Sequence, residues 1–505
     1  MSRRGVWMMA LAVVFGVACN SNDGGVSDGA VGDVVRGFEV GVDAMGPDGA
    51  PPPDGASADG PVPDGPVPDM SQPPDGGAPD AIPPPLSRGM KWVRQNPMFI
   101  SGLTVTMGAP TAAAVSDYFS VFKATAVHLW QKGLPTAMDG WRLHGGATTR
   151  WVSWLKDDGT SIDGNKVIGG YPAGVPGRIG YQIGDEPPDM AHLKQIEVGV
   201  NAARGVDPDA LVYVNFSYKA NDIQQQLTYY AQMDADVVSY DSYTQGNKAY
   251  YRLDMFRQAG LKQGRPYWRY INAYFDKPPG GKTITESDMR WDAFSGLVYG
   301  YTGHTWFLYQ IYNNNQLSPA FFDAGDSFAA AKTFRYALAA QINQELLNLG
   351  RCITQLTSTD VRYTPSVPLL TPQGTKPWQV GAGGDPYLVG LAPAPGQLLL
   401  DILVGFFVDD KGERYVMVQN VRHESGSWPI DNDNNGTFRL TFDFGKAPSG
   451  LDQTQVLGLD RVTGKVQALA LTPLSGGKAQ LDVTLAAGNP VLFKYATGVP
   501  FALGP

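Results

Sequence analysis

The stretch Arg178-Ile179-Gly180-Tyr181-Gln182-Ile183-Gly184-Asp185-Glu186-Pro187-Pro188-Asp189 runs from an apolar strand into two adjacent acids. Two prolines stiffen the exit, and Pro187 biases Glu186 toward an extended backbone. Residues 190–204 then carry helical periodicity. A strand that delivers acids at its carboxyl end and passes into a helix is one half of a βα repeat.

The same alternation extends on both sides. Apolar runs at 99–107, 122–130, 150–155, 178–184, 210–216, 236–243, 266–274 and 304–312 read as strands, and 190–204, 223–233 and 287–299 are among the helical segments between them. Eight strands with intervening helices predict a (β/α)8 barrel over 88–349, with 329–349 as its last helix. An open doubly wound sheet would more often place a glycine-rich phosphate loop after its first strand. Here that strand ends Met107-Gly108-Ala109-Pro110, without the fingerprint.

From about residue 350 the pattern changes. Short runs at 360–363, 398–408, 414–421, 437–444, 455–460, 464–469, 479–485 and 491–495, many alternating apolar and polar, are separated by Gly, Pro, Asn and Asp. They predict an all-β antiparallel sandwich over 350–505.

The chain begins differently. Arg3 and Arg4 precede an apolar run from Val6 to Ala18, too short for a comfortable span and right for a secretory signal. Its end, Gly16-Val17-Ala18-Cys19, resembles a bacterial lipoprotein signal, so residues 1–19 are expected to be removed up to a lipidated Cys19. Ordinary secretion with cleavage near Ala18 is the alternative. Residues 20–87 are Gly, Pro, Asp, Ala and Val with twelve acids and the single base Arg36. Such a segment buries too little to offset its ordering entropy and is expected to be a disordered linker reaching about 100–200 Å. The 505 residues carry a net charge of −9; the linker holds −11 of it and Arg3 and Arg4 add two positive charges, so residues 88–505 sum to zero. A neutral body excludes a nucleic-acid footprint and leaves the lipid anchor as the expected contact with a membrane. Two cysteines, Cys19 and Cys352, exclude a disulfide framework and a thiolate zinc site, and Cys352 reads as a buried small hydrophobe. No histidine spacing suggests a metal, no Gly-x-Ser-x-Gly elbow is present, and no cofactor is expected.

A barrel of this kind carries its chemistry at the carboxyl ends of its strands. Those ends hold His128 and Trp130 on the second strand, Asp185 and Glu186 on the fourth, Asp241 and Tyr243 on the sixth, Asn272 and Tyr274 on the seventh, and Trp306 and Gln310 on the eighth. The rim is aromatic and acidic. Aromatic faces stack on sugar rings, carboxylates and amides bind hydroxyls, and breaking a glycosidic bond takes one carboxylic acid and a second carboxylate. A glutamate in a partly apolar cup keeps its proton and serves as the acid.

The stretches Gly184-Asp185-Glu186-Pro187, Ser239-Tyr240-Asp241-Ser242-Tyr243, Asp288-Met289-Arg290-Trp291 and Gly300-Tyr301-Thr302-Gly303-His304-Thr305-Trp306-Phe307 resemble the barrel glycoside hydrolases of clan A. Segments such as Gly488-Asn489-Pro490-Val491-Leu492-Phe493-Lys494 resemble the β-sandwich that often follows such barrels. The resemblance implies that Glu186 is the acid/base. It departs from the family at Asp185, where an Asn is usual, and at the seventh strand, whose exit has no Glu. Glu286 lies farther on, where Thr283-Ile284-Thr285-Glu286 reads as a capping box with Thr283 as N-cap. Asp241 is then the expected second carboxylate, with Asp276 behind it. Asp185, His128, Trp130, Tyr243, Asn272, Tyr274, Trp306 and Gln310 are the expected substrate contacts, although lone histidines and rim aromatics more often pack into cores. The resulting expectation is an exported monomer, tethered in the bacterial cell envelope at the outer membrane or cell surface, or else secreted, that hydrolyses O-glycosidic bonds. The rival reading is a carbohydrate-binding surface lipoprotein without turnover.

Overall fold

The computed structural model describes residues 86–104, 109–129, 134–159, 174–220, 222–243, 247–276, 284–310, 317–319, 321–323, 328, 330–365, 372, 374–397, 401–423, 435–445, 447 and 449–505. The chain divides into two compact units, Met1–Ile82 and Pro83–Pro505, and every described residue belongs to the second. The expected signal, its Cys19 and residues 20–85 of the expected linker lie outside the described residues, as does Trp130.

Eight parallel strands close into a barrel in chain order: β1 (Phe99–Thr104), β2 (Val127–Leu129), β3 (Trp151–Leu155), β4 (Arg178–Asp185), β5 (Leu211–Ser217), β6 (Val237–Asp241), β7 (Tyr267–Asn272) and β8 (Gly303–Gln310). Closure is made by β1 on β8, from Phe99 opposite Gly303 to Gly102 opposite Trp306. All eight expected strands are present. The second is shorter than expected at its start, where residues 122–126 form a bend with Lys123 at φ +64° after a turn of π-helix at Asp117–Val121.

The helices are α1 (Arg88–Gln95), α2 (Ala112–Ser116), α3 (Leu134–Gly145), α4 (Met190–Val206), α5 (Ile223–Tyr230), α6 (Asn247–Gln263), α7 (Glu286–Tyr299) and α8 (Phe334–Ile353). Their starts follow capping chemistry. Asp189 accepts from His192 N at 2.8 Å to open α4. At α7 the capping box is Thr285 with Asp288: Thr285 Oγ1 accepts from Asp288 N at 3.1 Å, and Thr285 N donates to Asp288 Oδ2 at 3.0 Å. The expected cap, Thr283, lies outside the described residues, and Glu286 is the first helical residue, paired with Arg290 at 2.8 Å.

Inside the barrel, polarity rises toward the carboxyl end. The lower layer is apolar: Phe99, Ala126, Val152, Ile179, Leu211, Tyr213, Val237 and Trp268 pack together, with Trp92 of α1 against them. Residues two positions farther along the strands are polar, as in Val237, Ser239, Asp241 on β6 and Trp268, Tyr270, Asn272 on β7. The hydrogen bond from Tyr270 on β7 to Gln182 Oε1 on β4, 2.6 Å, joins strands that are not neighbours, so it crosses the interior.

The residues after α8 form two sheets. Seven strands lie in the order Lys376–Pro377, Thr357–Thr364, Ile402–Val408, Arg414–Asn420, Pro490–Ala496, Asp452–Leu459 and Val466–Ala470. Four lie in the order Leu388–Pro393, Gly436–Asp443, Lys478–Leu485 and Thr472–Pro473. Pairing is antiparallel except between the first two strands of the larger sheet. Alternation along Ile402–Val408 divides its side chains between two cores. Val404 and Phe406 meet Phe438, Leu440 and Phe442 of the smaller sheet, whereas Leu403 and Phe407 join the barrel core. A strand buried on both faces is apolar throughout.

The barrel element that meets this sheet is α7. Every residue from Ser287 to Tyr299 is buried, so it is not a surface helix with one apolar stripe. Gly405 allows the close approach: a Cβ there would stand 2.2 Å from Val298 O. The buried charges of α7 are all paired. Arg290 meets Glu345 at 3.0 Å and Asn489 at 3.1 Å, Asp288 meets His423 at 2.7 Å, and Asp292 meets Arg269. Deleting residues 357–505 would strand this helix in water with its apolar side uncovered. The truncated chain should aggregate or melt without a cooperative transition, measured by size-exclusion chromatography and calorimetry. A soluble monomer with a sharp melt would overturn that expectation.

Candidate functional site

The carboxyl end of the barrel holds three acids. Asp185 ends β4, Glu186 follows it, and Asp241 ends β6. Gly184, at φ +68°, makes the turn; a side chain there would be strained, and its Cβ would press on the ends of Ile196 at 2.6 Å and Asp157 at 2.7 Å. Glu186 itself lies at φ +43°, not in the extended region that Pro187 favours. A left-handed backbone costs a non-glycine residue about 1–2 kcal/mol. The strained position is held by Glu186 N donating to Asn215 O at 2.9 Å, and such strain concentrates at functional sites.

The strained turn sends the Glu186 carboxyl across the mouth to a hydrogen bond with Asp241. Asp241 is 9% exposed. Burial first, then the charge and hydrogen bond of Glu186 and the charge of Asp185, hold its proton on well above the ordinary carboxylate range. Asp241 Oδ1 is buried with no ordinary donor beside it, which is costlier for the charged form of this carboxyl than for the neutral one. Tyr243 donates to the same carboxyl and works in the opposite direction, favouring its charge. Asp185 is raised too, by burial first and then by Glu186.

Asp185 is anchored from below. Asn215 Nδ2 donates to its Oδ1 at 3.0 Å and Gln182 Nε2 at 3.3 Å. Ser239 Oγ fixes Asn215 at 2.9 Å, and Tyr270 fixes Gln182. Asp157, on the turn after β3, stands beside Gly184 and pairs with His192 at 2.6 Å. The wall is apolar: Leu103, Trp154, Tyr270 and Leu308 are buried together, with Tyr243 and Phe307 at their edge. Tyr243 and Phe307 stack, ring centres 5.2 Å apart. Among the described residues, no group of three or more His, Cys, Asp and Glu side chains is set to hold a metal.

Of the residues expected at this site, Glu186, Asp241, Asp185 and Tyr243 come together. Asn272 stands at the exit of β7 opposite Phe307, half-buried, with its backbone N–H donating to Asp292 Oδ2 at 3.0 Å. His128 and Trp306 do not line the mouth. His128 is fully buried in the barrel interior, 3.4 Å from the Tyr270 hydroxyl, and burial lowers its pKa to about 3, so it is neutral. Trp306 faces outward, donating from Nε1 to Asn343 Oδ1 of α8 at 2.8 Å. Strand alternation explains the error: the inward neighbour on β8 is Phe307. The side chains of Tyr274, Asp276 and Gln310 lie outside the described residues. Gln182, Asn215, Tyr270 and Phe307 were not anticipated as site residues. The available signal was a polar side chain at every second position of otherwise apolar strands.

No protein-family model and no curated protein matches the chain. Solved structures of similar architecture include a glycoside hydrolase family 5 protein from Bacteroides vulgatus, 13% identical over 81% of this chain and 92% of that one, TM-score 0.44. Others are a family 30 endoxylanase from Clostridium papyrosolvens, 8% identical over 80% and 97%, TM-score 0.40, and the family 51 arabinofuranosidase from Xanthomonas axonopodis pv. citri, 10% identical over 81% and 97%, TM-score 0.39. The likeness is remote, and the barrel stands on its own strand pairing.

The raised pKa of Asp241 fixes the sign of a stability effect. Above its ordinary value of 3.8 the unfolded chain releases this proton while the folded chain keeps it, so stability falls as pH rises toward the folded value. Asp241→Asn removes that penalty. The variant should melt at higher temperature than the parent at pH 7, and the gain should vanish below about pH 3.8. Calorimetry across that range checks it; a variant less stable at pH 7 would show that the carboxyl is not desolvated.

Proposed function

We propose that the protein is a glycoside hydrolase that cleaves O-glycosidic bonds of an oligo- or polysaccharide with Asp241 and Glu186 as its carboxyl pair. The observation that carries this reading is the contact of the two carboxyls, one of them buried, in an aromatic-walled barrel mouth. Hydrolysis of this kind needs one carboxylic acid and one carboxylate on either side of the bond. The sequence reading had given Glu186 the acid role. Burial instead gives the resting proton to Asp241, which would protonate the leaving oxygen while Glu186, at the more open edge, attacks the anomeric carbon. Carboxyls in contact leave no room for a water between them, which favours the retaining scheme. The pair would have to part to reach the roughly 5 Å of that scheme when a sugar ring enters. Asp185, whose own proton is favoured by burial, would bind a sugar hydroxyl.

We propose further that the chain is exported and held in the cell envelope by a lipid on Cys19, on the strength of its first nineteen residues. Incorporation of a labelled fatty acid that is lost in Cys19→Ser checks this; an unlabelled, freely secreted parent would leave ordinary secretion.

Hydrolysis should be measured on a polysaccharide panel. Glu186→Gln should lower kcat about 10²–10⁴-fold on every substrate. Asp241→Asn should lose a similar factor on natural linkages and much less on aryl glycosides, whose leaving group needs no proton. The reverse pattern would return the acid role to Glu186, and sugar binding with no turnover by the parent would leave the non-catalytic reading. Tyr243→Phe removes a hydrogen bond that favours the charged form of Asp241, so the alkaline limb of the rate profile should move to higher pH.

A further inference from the structure

β4 and β5 do not run in even register. Gln182 stands opposite Tyr213, but Asp185 stands opposite Asn215, so β4 advances three residues while β5 advances two. This is a β-bulge, rare between parallel strands and found beside active sites, where it re-aims a side chain. Alternation along the strands shows what it re-aims here. Tyr213 belongs to the apolar layer inside the barrel, so Asn215 also points inward, whereas Phe216 packs outward on Tyr230 of α5, ring centres 5.0 Å apart. In even register Gly184 would stand opposite Asn215, and Asp185 would stand opposite Phe216 on the outer face. The bulge brings Asp185 to the inner face instead, with Gly184 taking up the extra residue in a left-handed conformation.

Asn215 holds the bulge at two points. Its side-chain Nδ2 donates to Asp185 Oδ1 at 3.0 Å, and its main-chain O accepts from Glu186 N at 2.9 Å. The amide is oriented from the other side: Ser239 Oγ donates to Asn215 Oδ1 at 2.9 Å, from the β6 residue in register with it. That bond commits the amide oxygen to β6 and leaves the N–H groups for β4. Asn215 is 2% exposed, too deep to touch a sugar.

We infer that Asn215 is a positioning residue of the mouth: its side chain turns Asp185 inward and its main chain holds the backbone of Glu186, so that both acids of β4 face Asp241. Its part in hydrolysis rests on the glycoside hydrolase reading, but its hold on Asp185 can be measured without turnover.

Asp185 is faced by the acids Glu186, Asp157 and Asp241, and the Asn215 amide works against them by favouring its charged form. Without that amide the folded chain keeps the Asp185 proton more tightly while the unfolded chain does not. The stability lost in Asn215→Leu should therefore grow as pH rises from about 4 to about 9. The test is a double-mutant cycle with Asp185→Asn in the full-length protein, melted across that range. In the Asp185→Asn background the pH-dependent part of the loss should vanish. A loss that is the same at both ends of the range, or unchanged by Asp185→Asn, overturns the inference. On a glycan that the parent hydrolyses, Asn215→Leu should lower kcat/KM about 10–100-fold. Adding it to Asp185→Ala should cost little more, and additive losses overturn the inference. Asn215→Asp keeps an acceptor for Ser239 but can donate to Asp185 only while protonated. Its activity relative to the parent should recover toward acid pH; a deficit uniform in pH counts against the role. Should Asn215→Leu fail to fold, Ser239→Ala, which frees the amide on its β6 side, should show the same pH-dependent loss at smaller amplitude, and its absence overturns the inference. A parent that hydrolyses no glycan while the stability cycle holds removes the hydrolase reading and leaves Asn215 as the residue that positions the mouth.

Discussion

A column of hydrogen bonds through the barrel interior decides what its mouth can do. Tyr270 holds Gln182, Gln182 and Asn215 hold Asp185, and Ser239 holds Asn215. A closed barrel has a fixed bore, so inward side chains from several strands share one small volume, and polar groups placed there must satisfy one another. Once Asp185 is anchored from beneath, no donor of that column is left for Asp241. Its carboxyl meets Glu186 instead, and burial together with that neighbouring acid raises its pKa. The depth of the column also separates roles: His128 at its foot is too deep to touch a ligand, although it closes the network by its contact with Tyr270.

The outer frame works through α7. That helix lies between β7 and β8 on one side and the seven-stranded sheet on the other, and its buried charges bind it in both directions. Asp292 is the link to the mouth: it takes Arg269 from within β7 and the backbone N–H of Asn272 at the exit of that strand. The sheet thus does more than extend the chain. It covers the helix that holds the seventh strand in register.

Much of this was legible from residue patterns. Strands buried on both faces read as apolar runs, and their spacing by helical periods pointed to eight βα units. Acids at the ends of two such runs marked the mouth, because an acid that terminates an apolar strand has to leave the core with it. The failures also have physical causes. Trp306 and Phe307 are adjacent and equally apolar, and only strand register assigns one to the outside and the other to the bore. The local preference of Pro187 for an extended Glu186 was overruled by a hydrogen bond from a residue on another strand. Thr283 and Thr285 are both acceptable caps for the same helix, and the choice fell to the one whose third residue, Asp288, also meets His423 in a distant loop.

What the amino-acid sequence determined by itself is therefore the periodic part: which segments are strands or helices, the barrel they imply, and which acids stand at the strand ends. Those are set by short-range alternation and capping, which a linear reading captures. The tertiary structure alone decided that Asp241 and Glu186 touch, that burial raises the pKa of the deeper of the two, and that His128 and Trp306 are withdrawn. Each of these depends on distances between residues far apart in the chain, and on the water excluded around them, neither of which is encoded in the order of neighbours.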